Sequence, residues 1–101
     1  MTTAIHVTRV TNDADLCRVT AGDEVDAIVR TTWLADEDIR QGTILDDDVR
    51  GRIDRLHRRT CVWNLAVRML APRDIPRAVL SSRLEARGHH RDDVRAALDA
   101  M

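Results

Sequence analysis

The sequence predicts an α+β protein: an N-terminal three-stranded antiparallel meander followed by a long helix and a helical hairpin. Three observations carry this reading. β-branched residues alternate with polar ones through the first thirty positions. Apolar residues then recur at intervals of four and three from Val49 to Leu70, the spacing of one helical face. Beyond that stripe, Pro72, Pro76 and Gly88 divide the remaining residues into two short amphipathic segments. A length of 101 residues suits a single domain, with strands and a short helix in 1–43 and the helical part in 44–101.

The strands are expected at 5–11, 16–21 and 24–30. In the second, Cys17, Val19 and Ala21 share a face, and in the third Val25, Ala27 and Val29 do, so each can bury one side. Asn12-Asp13-Ala14-Asp15 suits a four-residue hairpin loop, and Gly22-Asp23 suits a two-residue turn that needs positive φ.

Thr32 then caps a short helix over Trp33–Arg40, with acids in its first turns and Gly42 beyond its end. Asp46-Asp47-Asp48 opens the long helix, where carboxylates cap free amides and complement the dipole, a simpler role than metal binding for a run with so few ligands. The stripe Val49, Ile53, Leu56, Thr60, Trp63, Val67 and Leu70 implies a helix from about 46 to 71, roughly 39 Å long at 1.5 Å per residue. Trp63 is expected to be buried on it. The helix could kink near Arg58-Arg59-Thr60 or serve as a straight spine. Pro76 starts the next helix, with Val79, Leu80 and Leu84 inward, and Gly88 closes it. His90 stands near the start of the last helix, whose apolar stripe is Val94, Ala97, Leu98 and Met101.

Without Phe or Tyr, and with Trp33 and Trp63 as its aromatics, the chain must build an aliphatic core. Cys17 and Cys61 lie far apart and belong to no metal-ligand pattern, so both are expected as buried free thiols. No secretory leader or 18-residue apolar window is visible, which points to a cytoplasmic protein without a membrane partner. The formal charge of −1 hides a polarity. Residues 1–48 hold four arginines against eleven acids, a formal −7, and residues 49–101 hold twelve against six, a formal +6. The halves could neutralise each other or meet an external charged partner.

No glycine-rich phosphate loop, nucleophile elbow, HExxH pair or Ser/His/Asp arrangement can be written from these residues, so no enzyme, cofactor or metal is expected. All sixteen basic residues are arginine, dense on both the long helix and the hairpin. They form either a solvated face laced with pairs such as Asp54–Arg58 or a basic binding surface.

At Ala66-Val67-Arg68-Met69-Leu70-Ala71-Pro72-Arg73-Asp74 the sequence resembles the opening of the first three-helix repeat of the RecX family, where a helix ends in an arginine-bearing turn. Leu80 and Leu84 match the family's second-helix leucines, Gly88 its closing glycine, and Val94 and Leu98 the apolar positions of its third helix. Strands, a short helix, Gly42, then Leu45-Asp46-Asp47-Asp48 and a long helix follow the family's order too. Where the family carries a Ser-x-x-Glu-Leu capping box, this chain has Pro76-Arg77-Ala78-Val79-Leu80. RecX regulators carry three tandem repeats that lie along the groove of a RecA–DNA filament, and the 101 residues here hold one. The resemblance implies a regulator that binds RecA recombinase filaments and modulates recombination without catalysis. Arg68, Arg73, Arg77, Arg83 and Arg87 are the expected contacts, Arg73 standing at the family's turn arginine. Two other readings stay open: an Arg-rich module that binds DNA or another nucleic acid through its phosphates, and an adaptor that forms a homo-oligomer by setting one copy's acidic strands against another's basic hairpin.

Overall fold

A computed structural model describes residues 2–101. Its elements are β1 (His6–Val10), β2 (Asp13–Ala21), β3 (Val25–Arg30), α1 (Thr31–Asp36), α2 (Asp47–Leu70), α3 (Arg77–Ala86) and α4 (Arg91–Asp99). About 49% of the chain is helical and 22% strand, which is the α+β layout the sequence predicts. The chain divides into two compact units, Met1–His57 and Arg58–Met101, and the division falls inside α2.

In the first unit the strands form an antiparallel sheet in the order β1-β2-β3. Cys17 lies opposite Val29, Val19 opposite Ala27 and Ala21 opposite Val25, so the period-two alternation delivers all six to one buried face. The other face mixes the apolar Leu16 and Ile28 with polar residues. There Arg18 reaches Asp26 with two guanidinium nitrogens, at 2.8 and 2.6 Å, and holds that carboxyl below its ordinary value of 3.8.

Both turns differ from their expected lengths. Val10 already faces Asp13, so the first turn is Thr11-Asn12 and most of the expected loop at 12–15 is strand. Asn12 makes this possible by adopting φ +66, a left-handed conformation that its short polar side chain tolerates. Ala14 to Leu16 then face no β1 residue, an irregularity placed after Arg9. The second turn is Gly22-Asp23-Glu24, one residue longer than expected, with the positive φ at Gly22 and the Glu24 amide donating to the Ala21 carbonyl at 3.0 Å.

α1 departs more. It ends at Asp36, and its first turn holds no acid and no side-chain cap. Asp38, at φ +56, takes the left-handed position expected of a glycine. The Asp38 amide then bonds the Ala35 carbonyl at 3.0 Å and the Ile39 amide the Leu34 carbonyl at 3.2 Å, the Schellman arrangement, with Leu34 and Ile39 both buried. Gly42, at φ +90, serves a later turn, which brings Ala4 and Ile44 together in an antiparallel bridge. Asp36, Glu37 and Asp38 therefore stand at the helix C-terminus, where the dipole does not favour them. Arg52 and Arg40 offset this by pairing with Glu37 and Asp38.

The core of this unit joins the sheet to Leu34, Ile39, Val49, Ile53 and Leu56. Arg30 lies 4.7 Å over the partly buried Trp33 ring. Asp46 caps α2 as expected: its carboxylate accepts from the Val49 amide at 2.8 Å, and Asp47 and Asp48 occupy the first turn. The helix continues unbroken through Arg58, Arg59 and Thr60.

In the second unit the buried positions of α2 are Thr60, Val62 and Ala66, while Trp63 and Leu70 are half-buried and Val67 is 38% exposed. The expected burial of Trp63 and Val67 is thus corrected. Val62, Leu65, Ala66 and Met69 make a second apolar stripe, and part of it displaces the first. α3 packs on α4 through buried Leu80, Leu84, Val94, Ala97 and Leu98, whereas Val79 and Met101, expected inward, are exposed. Pro76 stands at the N-cap of α3, next to the first helical position as expected, and without a side-chain cap. Gly88, at φ +96, closes α3 with its own Schellman pair, its amide bonding the Glu85 carbonyl and the His89 amide the Leu84 carbonyl. His90 caps α4, Nδ1 accepting from the Asp92 amide at 3.1 Å.

Cys17 is a buried free thiol, and burial raises its pKa above the ordinary 9.0, but Cys61 is exposed, against expectation.

Candidate partner-binding site

Pairing decides which arginines are available to a partner. In the first unit most arginines go to their own acids: Arg18 to Asp26, Arg40 to Asp38, Arg50 to Glu24 at 3.0 Å, and Arg52 to Asp48 and Glu37 at 3.1 and 3.4 Å. Arg52 also donates to the Glu37 carbonyl at 2.9 Å. The net negative charge of this unit is thus laced internally.

In the second unit Arg58 and Arg59 lie 3.5 and 3.7 Å from Asp93, the nearly buried carboxylate at the first turn of α4. Arg58 thus leaves Asp54, its expected i,i+4 partner, for α4. Burial of Asp93 is tolerable because two guanidinium groups stand over it.

All five sequence-predicted contacts are exposed. Arg68 occupies the last turn of α2 and Arg83 the last turn of α3, where a cation complements the helix dipole. Arg73 lies in the connection between those helices, and Arg87 is the C-cap of α3, four residues after Arg83 and on the same side. Among the described residues, none of Arg68, Arg73, Arg83 and Arg87 has an ion-pair partner, so their charge faces water. Arg77 differs. Its guanidinium pairs with Asp99 of α4, and it sits six residues before Arg83, on another side of α3.

Arg77 instead belongs to a polar cleft of about 330 Å³ between α3 and α4, lined by Arg77, Ser81, Glu85, Arg91, Arg95 and Leu98. Arg91 and Arg95 were not among the predicted contacts. Their signal lay in the spacing: Arg77, Ser81 and Glu85 are four apart on α3, Arg91 and Arg95 four apart on α4, so each set shares a side of its helix. Arg91 Nε approaches Glu85 Oε1 at 3.5 Å, and Arg95 has no ion-pair partner among the described residues.

Among the described residues no three His, Cys, Asp or Glu side chains come together as a metal site, and no helix is long and apolar enough to cross a membrane. The arrangement offers guanidinium donors to an anionic surface.

Comparison with known proteins gives a partial likeness. Over 36 residues, 36% of the chain, the sequence is 56% identical to the regulatory protein RecX of Chromohalobacter salexigens, and the match spans 24% of that protein's length. No family model and no solved structure matches. The likeness is weakly suggestive of a RecX-like relationship, in agreement with the resemblance in the sequence.

Proposed function

We propose that this chain is a non-catalytic, RecX-like regulatory protein that binds a RecA recombinase filament through its basic C-terminal part and restrains strand exchange and ATP turnover. The observation that carries the reading is the 56% identity over 36 residues to a regulatory protein RecX. The exposed and unpaired state of Arg68, Arg73, Arg83 and Arg87 supports it, because a filament presents an extended anionic surface to which such donors contribute without first breaking internal pairs. Exposed guanidinium groups act through charge that salt screens, so binding is salt-sensitive.

Co-sedimentation with RecA–DNA filaments, paired with the RecA ATPase rate, tests the reading. The expected result is protein in the filament pellet at low salt and a slowed ATPase, both lost when Arg83 and Arg87 are changed to Glu. Absence from the pellet at low salt, or equal binding to bare DNA, overturns it.

A further inference from the structure

We infer that the cleft between α3 and α4 binds a phosphate group, gripped by Arg91 and Arg95 of α4 and assisted by Arg77 and Ser81 of α3. The inference is independent of the recombinase reading, since it concerns an anion site within one helical pair.

Charge supports it first. Arg77, Arg91 and Arg95 bring three positive charges to the cleft, and Glu85 and the Asp99 partner of Arg77 bring two negative ones. One positive charge is left over, which matches a phosphodiester, and Arg95 carries it because no described carboxylate meets it. The internal contacts beside it are easily exchanged. The Arg91–Glu85 and Ser81–Glu85 contacts are both 3.5 Å, beyond the distance at which such bonds are strong. An entering oxyanion can therefore take the Arg91 fork and the Ser81 hydroxyl while displacing only a loose carboxylate contact. A guanidinium presents paired N–H donors to two oxygens of a phosphate, a geometry an ammonium lacks.

Shape supports it next. At about 330 Å³ the cleft has room for a tetrahedral oxyanion, and Leu98 is its one apolar wall among the lining residues. No aromatic side chain is present for a base to stack on, so the site reads backbone and not sequence.

The test uses the whole chain without recombinase and two phosphate sources, inorganic phosphate and a short thymidine oligonucleotide. Binding of the labelled oligonucleotide is followed by anisotropy across a salt series, and the arginine Nε–H signals are followed by NMR with either source. The Arg95→Gln variant should lose about tenfold in oligonucleotide affinity, the worth of one charge-assisted hydrogen bond. Its salt dependence should flatten by about 0.7 in log–log slope, one phosphate on a single strand. Arg91→Gln should follow it, whereas Arg9→Gln, which removes an exposed arginine of β1 far from this helical pair in sequence, should leave the slope unchanged. Phosphate shifting the Arg91 and Arg95 signals without oligonucleotide binding would support the cleft and assign it to free phosphate. Wild-type affinity and slope in both α4 variants, or an equal loss in Arg9→Gln, would overturn the inference while leaving the filament reading intact.

Discussion

Val62 and Val67 are the same residue type, five positions apart on α2, and the structure assigns them opposite fates. Val62 is fully buried and Val67 is 38% exposed. Truncating Val62 to Ala removes two buried methyl groups, about 1.6 kcal/mol of transfer free energy at roughly 0.8 per carbon. The cavity left behind raises the cost to about 2–3 kcal/mol. The same truncation at Val67 removes carbons already partly in water, about 1 kcal/mol of transfer. At both positions about 0.5 kcal/mol returns, because alanine is the better helix former, which leaves about 2 kcal/mol at Val62 and about 0.5 at Val67. Urea unfolding followed by circular dichroism should therefore place Val62→Ala well below wild type and Val67→Ala within about 1 kcal/mol of it, with melting temperatures lowered by roughly 10 °C and a few degrees respectively. Equal losses, or a larger loss at Val67, would refute the assignment of the buried stripe and restore the one through Trp63 and Val67.

The two left-handed helix ends make a complementary pair. Gly88→Ala, at φ +96 with open space around the added Cβ, should cost about 1 kcal/mol from backbone strain alone, whereas Asp38→Gly should stabilise by up to about 1 kcal/mol in the same unfolding assay. Cys61 should react with a thiol reagent in the native protein and Cys17 only on unfolding. Because burial raises the folded-state pKa of Cys17, its contribution to stability is fully present below the unfolded thiol's value and is lost as pH rises through the folded one. A thiol titration showing Cys17 ionising at or below 9.0 would contradict this.

The meander is legible in the sequence because its two chemistries coincide: the residues that alternate as apolar are also the small or β-branched ones that fit a half-buried sheet. The ends of elements are less legible, for an identifiable reason. Gly42 is the residue whose chemistry suits the end of α1, yet Asp38 takes the left-handed position four residues before it, and Asn12 does the same in the first hairpin. Asp and Asn reach that region at modest cost, and tertiary contacts then decide. For α1 the deciding contact is the burial of Ile39 beside Leu34, which a helix continued to Arg40 would forfeit. The second half of α2 was ambiguous in another way. It offers two apolar stripes, and periodicity ranks the one continuous with Val49, Ile53 and Leu56 above the one that is buried.

For the candidate site, the formal charge of each segment marks the basic part of the chain but does not distinguish the charges that the fold itself pairs. Arg77 shows the difference. It is as exposed as Arg83 and Arg87, yet Asp99 holds it across the α3–α4 pair, so removing it acts on two quantities at once. Arg77→Glu would set two carboxylates facing each other, and because that pair is solvent-exposed the stability loss should stay within about 1 kcal/mol. The double change Arg83→Glu, Arg87→Glu breaks no pair among the described residues, although Arg83 loses its favourable place at the helix end, worth about 0.5 kcal/mol. Filament binding and melting temperature measured on both variants should therefore separate. The double variant should lose filament binding with a melting temperature within a few degrees of wild type. Arg77→Glu should lose stability by at least as much while retaining part of the binding, because Arg68, Arg73, Arg83 and Arg87 remain in place. If Arg77→Glu alone abolishes pelleting and the double variant does not, the partner's surface is centred on the α3–α4 cleft and not on the end of α3.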